Sequence, residues 1–92
     1  MIRSFKWKYT EALSSGNNVK KFKNIAEVAR RKLRQLEIAN RLDDLKVPPG
    51  NHFEALRGDR AGQYSIRIND QWRVCFCWTD VCAENVEIAD YH

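Results

Sequence analysis

The chain has 92 residues and a mass of 10.8 kDa, which allows one compact domain over 1–92 and excludes a multidomain enzyme. Its 43% hydrophobic, 11% aromatic and 30% charged residues suit a folded domain, and no apolar run approaches the ~20 residues of a membrane span. The net charge of +4 is unevenly spread: residues 1–34 carry ten Lys and Arg against two acids and stand at +8, while residues 35–92 stand at −4. A block this basic is a footprint for a polyanion such as nucleic acid, or else a solvated Lys/Arg helix face.

The opening Met1-Ile2-Arg3-Ser4-Phe5-Lys6 has no apolar core and does not read as a signal peptide. With three cysteines and no such signal, the expectation is reduced thiols in the cytoplasm and no structural disulfide. Ile2 to Phe5 alternates and predicts a short first strand; Lys8 to Ser14 predicts a brief helix, stopped by Ser14-Ser15-Gly16-Asn17-Asn18. Asn24 and Glu27 form a capping-box pattern. Ile25, Val28, Ala29, Leu33, Leu36 and Ala39 then make one apolar stripe on a helix expected to end near Asn40 to Leu45, before Pro48 and Pro49.

Beyond Gly50 the period changes to two. Tyr64 to Ile68 and Trp72 to Trp78 alternate across a short connection, Asn69-Asp70-Gln71; Val86 to Ile88 adds a strand after a turn at Thr79 to Ala83. The order β-α-α-β-β-β makes an α+β fold, a small, mainly antiparallel sheet with helices on one face. Tyr64, Ile66, Ile68, Trp72, Val74, Phe76 and Trp78 share the face expected to pack on the helices; Ser65, Arg67, Arg73, Cys75 and Cys77 share the other. With a three-residue loop, Arg67 lies directly opposite Arg73. Like charges so placed destabilise a sheet, unless an anion sits between them or both find other partners.

The loop Leu56-Arg57-Gly58-Asp59-Arg60-Ala61-Gly62 combines two glycines and two arginines, a pattern that can hold a phosphate and equally an ordinary turn. The ending Asp90-Tyr91-His92 brings proton-transfer and stacking groups to a sheet edge. Cys75 and Cys77 with Cys82 lack the paired spacing of a zinc site, and neither a Gly-rich phosphate loop nor a carboxylate cluster for Mg²⁺ is present. Phosphodiester chemistry here would run without metal or cofactor.

The stretch Glu54 to Phe76, with its Leu56-Arg57-Gly58-Asp59-Arg60, Tyr64-Ser65-Ile66 and Trp72-Arg73, closely resembles the HigB toxins of the RelE-like superfamily, as do the ending Val86 to His92 and the opening Met1 to Phe5. The resemblance implies a RelE-like twisted sheet with two or three helices packed on one face. It implies a cytoplasmic, ribosome-dependent endoribonuclease that cuts mRNA in the A site of the 70S ribosome and pairs with a HigA-like antitoxin, binding operator DNA only as the toxin–antitoxin complex. Carried over, Arg73 would contact the scissile phosphate, Arg57 would take the place of a basic motif residue, and Asp90, Tyr91 and His92 would form the catalytic ending. Glu54 stands where some members have a His, with His52 two residues before it; Glu54, His52, Asp90 and His92 all stay open as the general base. Arg60 and Arg67 join the RNA-binding set with Lys20, Lys21, Lys23, Arg30, Arg31 and Arg34. The competing classes are a non-catalytic nucleic-acid-binding corepressor and a gyrase-directed ParE-like toxin.

Overall fold

In the computed structural model, which describes residues 1–91, the first helical segment forms over Lys8–Ser14 (α1) and is ended by Gly16 at φ +92°. Its buried Thr10 accepts a hydrogen bond from the Ile88 amide at 3.1 Å, so a polar residue ties the helix to the sheet. The main helix spans Ala26–Ile38 (α2) and buries Ala29, Leu33 and Leu36 from the anticipated stripe. Its start differs from the capping-box expectation: Ile25 occupies the N-cap and no side chain caps it. A 3₁₀ turn at Lys20–Phe22 runs directly into the helix, and Phe22 accepts the Ile25 amide, leaving Asn24 within the turn. The helix also stops earlier than expected. Asp44 accepts the amides of Asn40 and Arg41 at 3.0 and 3.1 Å, which begins a 3₁₀ turn at Leu42–Lys46 and buries Leu45. A downstream side chain, rather than Pro48 and Pro49, decides the end.

Four antiparallel strands follow in spatial order β1-β2-β3-β4: Glu54–Ala55 (β1), Gln63–Arg67 (β2), Trp72–Thr79 (β3) and Cys82–Asp90 (β4). The β2–β3 register is the anticipated one, with Arg67 opposite Arg73. Asn69 accepts the Gln71 and Trp72 amides at 2.9 and 2.8 Å, an Asx turn that fixes it. The turn expected over Thr79 to Ala83 is tighter, because Asp80 and Val81 both adopt positive φ in a two-residue hairpin, and β4 begins at Cys82.

The first predicted strand is reduced to two parallel bridges, Ile2 to Ala83 and Phe5 to Val86, along the outer edge of β4. Between them Asn85 sits at φ +53° where the β3–β4 register shifts, and its amide bonds to Ser4 Oγ at 2.9 Å, so a bulge breaks the ladder. The missed β1 is a two-residue edge strand too short to leave a periodic signal.

The core lies between the helices and one sheet face, where Leu13, Phe22, Leu33, Leu36 and Leu45 meet Ile66, Val74, Phe76, Val86 and Ile88. Among the described residues the opposite face holds a small buried cluster, Leu56, Cys75 and Ala89. The three cysteines are free, and no helix among the described residues is long and apolar enough to cross a membrane.

Candidate active site

Two rows of side chains cross the open face. One runs Glu54, Ser65, Cys75, Glu87 across the four strands, and the next runs Arg67, Arg73, Ala89. Strand alternation adds Tyr91, two residues beyond Ala89, to the second row.

Arg73 is half-buried and held on two sides. Its Nε donates to Ser65 Oγ at 2.8 Å, its Nη2 donates to the His52 carbonyl, and its guanidinium stands 5.9 Å from the centroid of the Tyr91 ring. Arg67, directly opposite, donates to the Asp70 carboxylate and faces His52 Nε2 at 3.4 Å from Nη1. The like-charge opposition is thus relieved by separate partners, with His52 serving both arginines through its carbonyl and its ring. The Arg67–Asp70 pair is exposed, Asp70 being 97% accessible, so it holds Arg67 weakly.

His52 can do this because it lies at φ +44°, a left-handed conformation, directly after Asn51. Asn51 is fully buried: its amide nitrogen donates to Gln35 Oε1 at 2.9 Å and to the Leu45 carbonyl at 3.0 Å, while Lys32 donates to its oxygen. A buried amide therefore pins the loop to α2 and fixes where the next residue presents its carbonyl.

Tyr91 is anchored through its amide to the Gln71 carbonyl at 2.6 Å, which ties down the last described residue. Its hydroxyl is 3.7 Å from Cys75 Sγ. Partial burial, with the Cys75 contact adding to it, pushes the phenol up to about 12. Burial likewise pushes the Cys75 thiol up. At neutral pH both groups are protonated, so Tyr91 is suited to donate a hydrogen bond or stack, and unsuited to act as a base.

The ending is split rather than gathered. Asp90 pairs with Trp72 across β3–β4, which assigns it to the helix-side register, and accepts Gln71 Nε2 at 3.2 Å. Tyr91 alternates to the Arg73 side; His92 lies outside the described residues. Glu54 is exposed on β1 opposite Ser65, on the open face. Arg57 is exposed at the start of the loop, and its side chain has no hydrogen bond or ion pair among the described residues. Gly58 and Gly62 adopt φ +64° and +93°, so the turn itself requires glycine at both positions. Arg60 reaches back to Gln63 Oε1 at 3.2 Å and Glu87 Oε2 at 3.4 Å, and Lys6 Nζ approaches the same Glu87 oxygen at 3.3 Å.

The basic residues assigned to RNA in the first 34 positions lie on α2 and the 3₁₀ turn. Arg30 donates to the carbonyls of Leu13 at 3.1 Å and Asn17 at 2.8 Å beyond α1. Arg31 and Arg34 are exposed along an open groove of about 740 Å³ on the helix side, with Ile2, Phe5 and Leu33 among its walls. Lys20, Lys21 and Lys23 are exposed on the 3₁₀ turn. No group of three or more His, Cys, Asp or Glu among the described residues could hold a metal ion. Ser65, Asn51 and the His52 carbonyl are positioning groups that sequence reasoning missed; only Ser65 gave a signal, as a neighbour of both arginines in the alternation.

A family model described as the RelE-like toxin of type II toxin–antitoxin system HigB matches residues 3–92. Over 55 residues the chain is 49% identical to Toxin HigB-1 of Vibrio cholerae serotype O1, an alignment covering 60% of this chain and 58% of that protein. Over 53 residues it is 38% identical to a Haemophilus influenzae protein described as uncharacterized, covering 58% and 52% respectively. The chain thus spans little more than half the length of the curated relatives it matches.

Proposed function

The chain belongs to the RelE-like HigB toxins of type II toxin–antitoxin systems, and from that premise we propose that it is an endoribonuclease that cuts mRNA on the ribosome and is neutralised by a HigA-like antitoxin. The observation that carries this reading is the tethering of Arg73 by Ser65 and the His52 loop beneath a neutral Tyr91. A guanidinium whose orientation is fixed before substrate arrives stabilises developing phosphorane charge without reorganising. Such a centre needs no metal ion, because the arginines supply the positive charge.

In the reaction, Glu54 on the open face takes the proton of a ribose 2′-OH. The 2′-oxygen forms a bond to the adjacent phosphorus as the bond to the 5′-oxygen breaks. Arg73 neutralises the non-bridging oxygens, with Arg57 and Arg67 at the margins, and Arg67 exchanges Asp70 for phosphate. Tyr91 donates a hydrogen bond or stacks on the base. His92 protonates the departing 5′-oxygen. The products are a 2′,3′-cyclic phosphate and a 5′-hydroxyl. Lys20, Lys21, Lys23, Arg31 and Arg34 bind the RNA of the ribosome–message complex electrostatically, so association weakens steeply with salt. The toxin meets operator DNA only within its complex with the antitoxin.

The test is cleavage of message on programmed ribosomes, with the product ends identified. Arg73→Ala lowers the rate about 10²–10³-fold, and a single 2′-deoxy substitution at the cut position abolishes the cut. Undiminished cleavage in either case would overturn the reading. Arrested DNA supercoiling with intact translation would identify a gyrase-directed toxin instead.

A further inference from the structure

Two exposed aromatic rings beside the basic 3₁₀ turn take no part in the site above. Trp7 and Tyr9, 37% and 44% exposed, meet edge to face with centroids 5.7 Å apart and planes at 85°. Each ring carries an ammonium: Lys21 Nζ is 4.5 Å from the Trp7 centroid and Lys8 Nζ is 5.5 Å from that of Tyr9. Lys20 and Lys23 flank Lys21 on the same 3₁₀ turn, and between residues 6 and 23 five lysines face a single acid, Glu11.

We propose that Trp7 and Tyr9, with Lys8 and Lys21, form a stacking site for an unpaired base of the single-stranded message that crosses the open face. Aromatic rings left in water among charges of one sign match a polyanion with π-faces, since each base offers a ring to stack on and each phosphate a partner for an ammonium. A protein-binding centre has the opposite character, because lysine is depleted from interface cores. The two surfaces are linked at the edge of β4. Lys6, next to Trp7, sits 3.3 Å from Glu87, which also holds Arg60 beside the Arg73 row. Lys6 thus adjoins both the Glu87 edge of the open face and, one residue on, the Trp7 ring. On binding, the ammoniums move from the rings to the flanking phosphates. This rests on the RNA-cleaving reading of the open face.

The test uses the full chain and a fluorescein-labelled 2′-O-methyl oligoribonucleotide, which cannot be cut because it lacks the attacking hydroxyl. Fluorescence anisotropy should show that Trp7→Ala with Tyr9→Ala weakens binding about tenfold or more, while Trp7→Phe with Tyr9→Phe keeps it. Lys21→Ala should reduce the salt slope by about one. Thermal melting confirms that the variants fold. Arg73→Ala, which slows cleavage, should leave the dependence on Trp7 and Tyr9 in place. Equal oligonucleotide affinity of the double Ala variant and the parent overturns the inference. So does a loss confined to ribosome binding or to an acidic protein partner. If the parent cuts no message on ribosomes yet still binds the oligonucleotide through these rings, the functional reading fails and the stacking site stands.

Discussion

On the helix-covered face of the sheet, Ile66, Val74, Phe76 and Ile88 are shut from water by the helices; on the open face the same strands present Arg67, Arg73, Cys75 and the adjoining Tyr91. The covered face is held by non-directional burial, which tolerates many arrangements of similar volume. The open face is held by directional bonds from a few groups, Ser65, His52 and Asp70, each set by one register or one loop conformation. One face therefore governs whether the chain folds, and the other governs where two cations are aimed.

Variants that break this division rank by size. Phe76→Ala removes a fully buried ring and should lower the unfolding free energy by about 3–5 kcal/mol in urea titration, against which Arg73→Ala, which leaves the buried Ser65 hydroxyl short of a partner, should cost only about 1 kcal/mol. An outcome in which both destabilise alike would erase the distinction between the faces. Asn51→Ala crosses it. Leaving the Lys32, Gln35 and Leu45 groups short of a partner should destabilise by about 1–3 kcal/mol, and freeing the His52 loop should slow message cleavage in a variant that is still folded at low temperature.

The Tyr91 phenol gives a pH signature of the open face. Its folded pKa of about 12 lies above the ordinary 10.0, so the folded state holds the proton more tightly than the unfolded chain does. The associated stability is complete below pH 10 and is lost as pH rises towards 12. Denaturant midpoints measured across that interval should fall less in Tyr91→Phe than in the parent. Smallest of all, Asp70→Ala should change stability by no more than about 1 kcal/mol, because the ion pair it removes is exposed. A larger loss would mean that Arg67 is anchored and not free to exchange its partner for an anion.

Legibility followed the same division. α1 was readable to its boundaries and the β2–β3 register to the residue, because local alternation and the Asn69 turn encode them within a few positions. The α2 stripe was readable, but both of its ends were not: the start is set by an incoming 3₁₀ turn and the stop by the Asp44 carboxylate. Arg73 and Tyr91 stood out by residue type and face, whereas Ser65 and Asn51 look ordinary until the chain brings them to partners eight and sixteen positions away. Arg30 also carries a structural role that its residue type does not announce, satisfying two carbonyls near the end of α1.

Periodicity and charge by themselves determined an α+β chain with one buried sheet face, a basic amino-terminal third and two arginines set against each other across a hairpin, since all of these depend on neighbours within a few residues. The tertiary structure alone decided that His52 would stand between those arginines, that the buried Asn51 would pin its loop to α2, and that the Trp7 ring would gather a lysine from the 3₁₀ turn. Those outcomes depend on contacts between distant segments, which are not written in any short window of sequence.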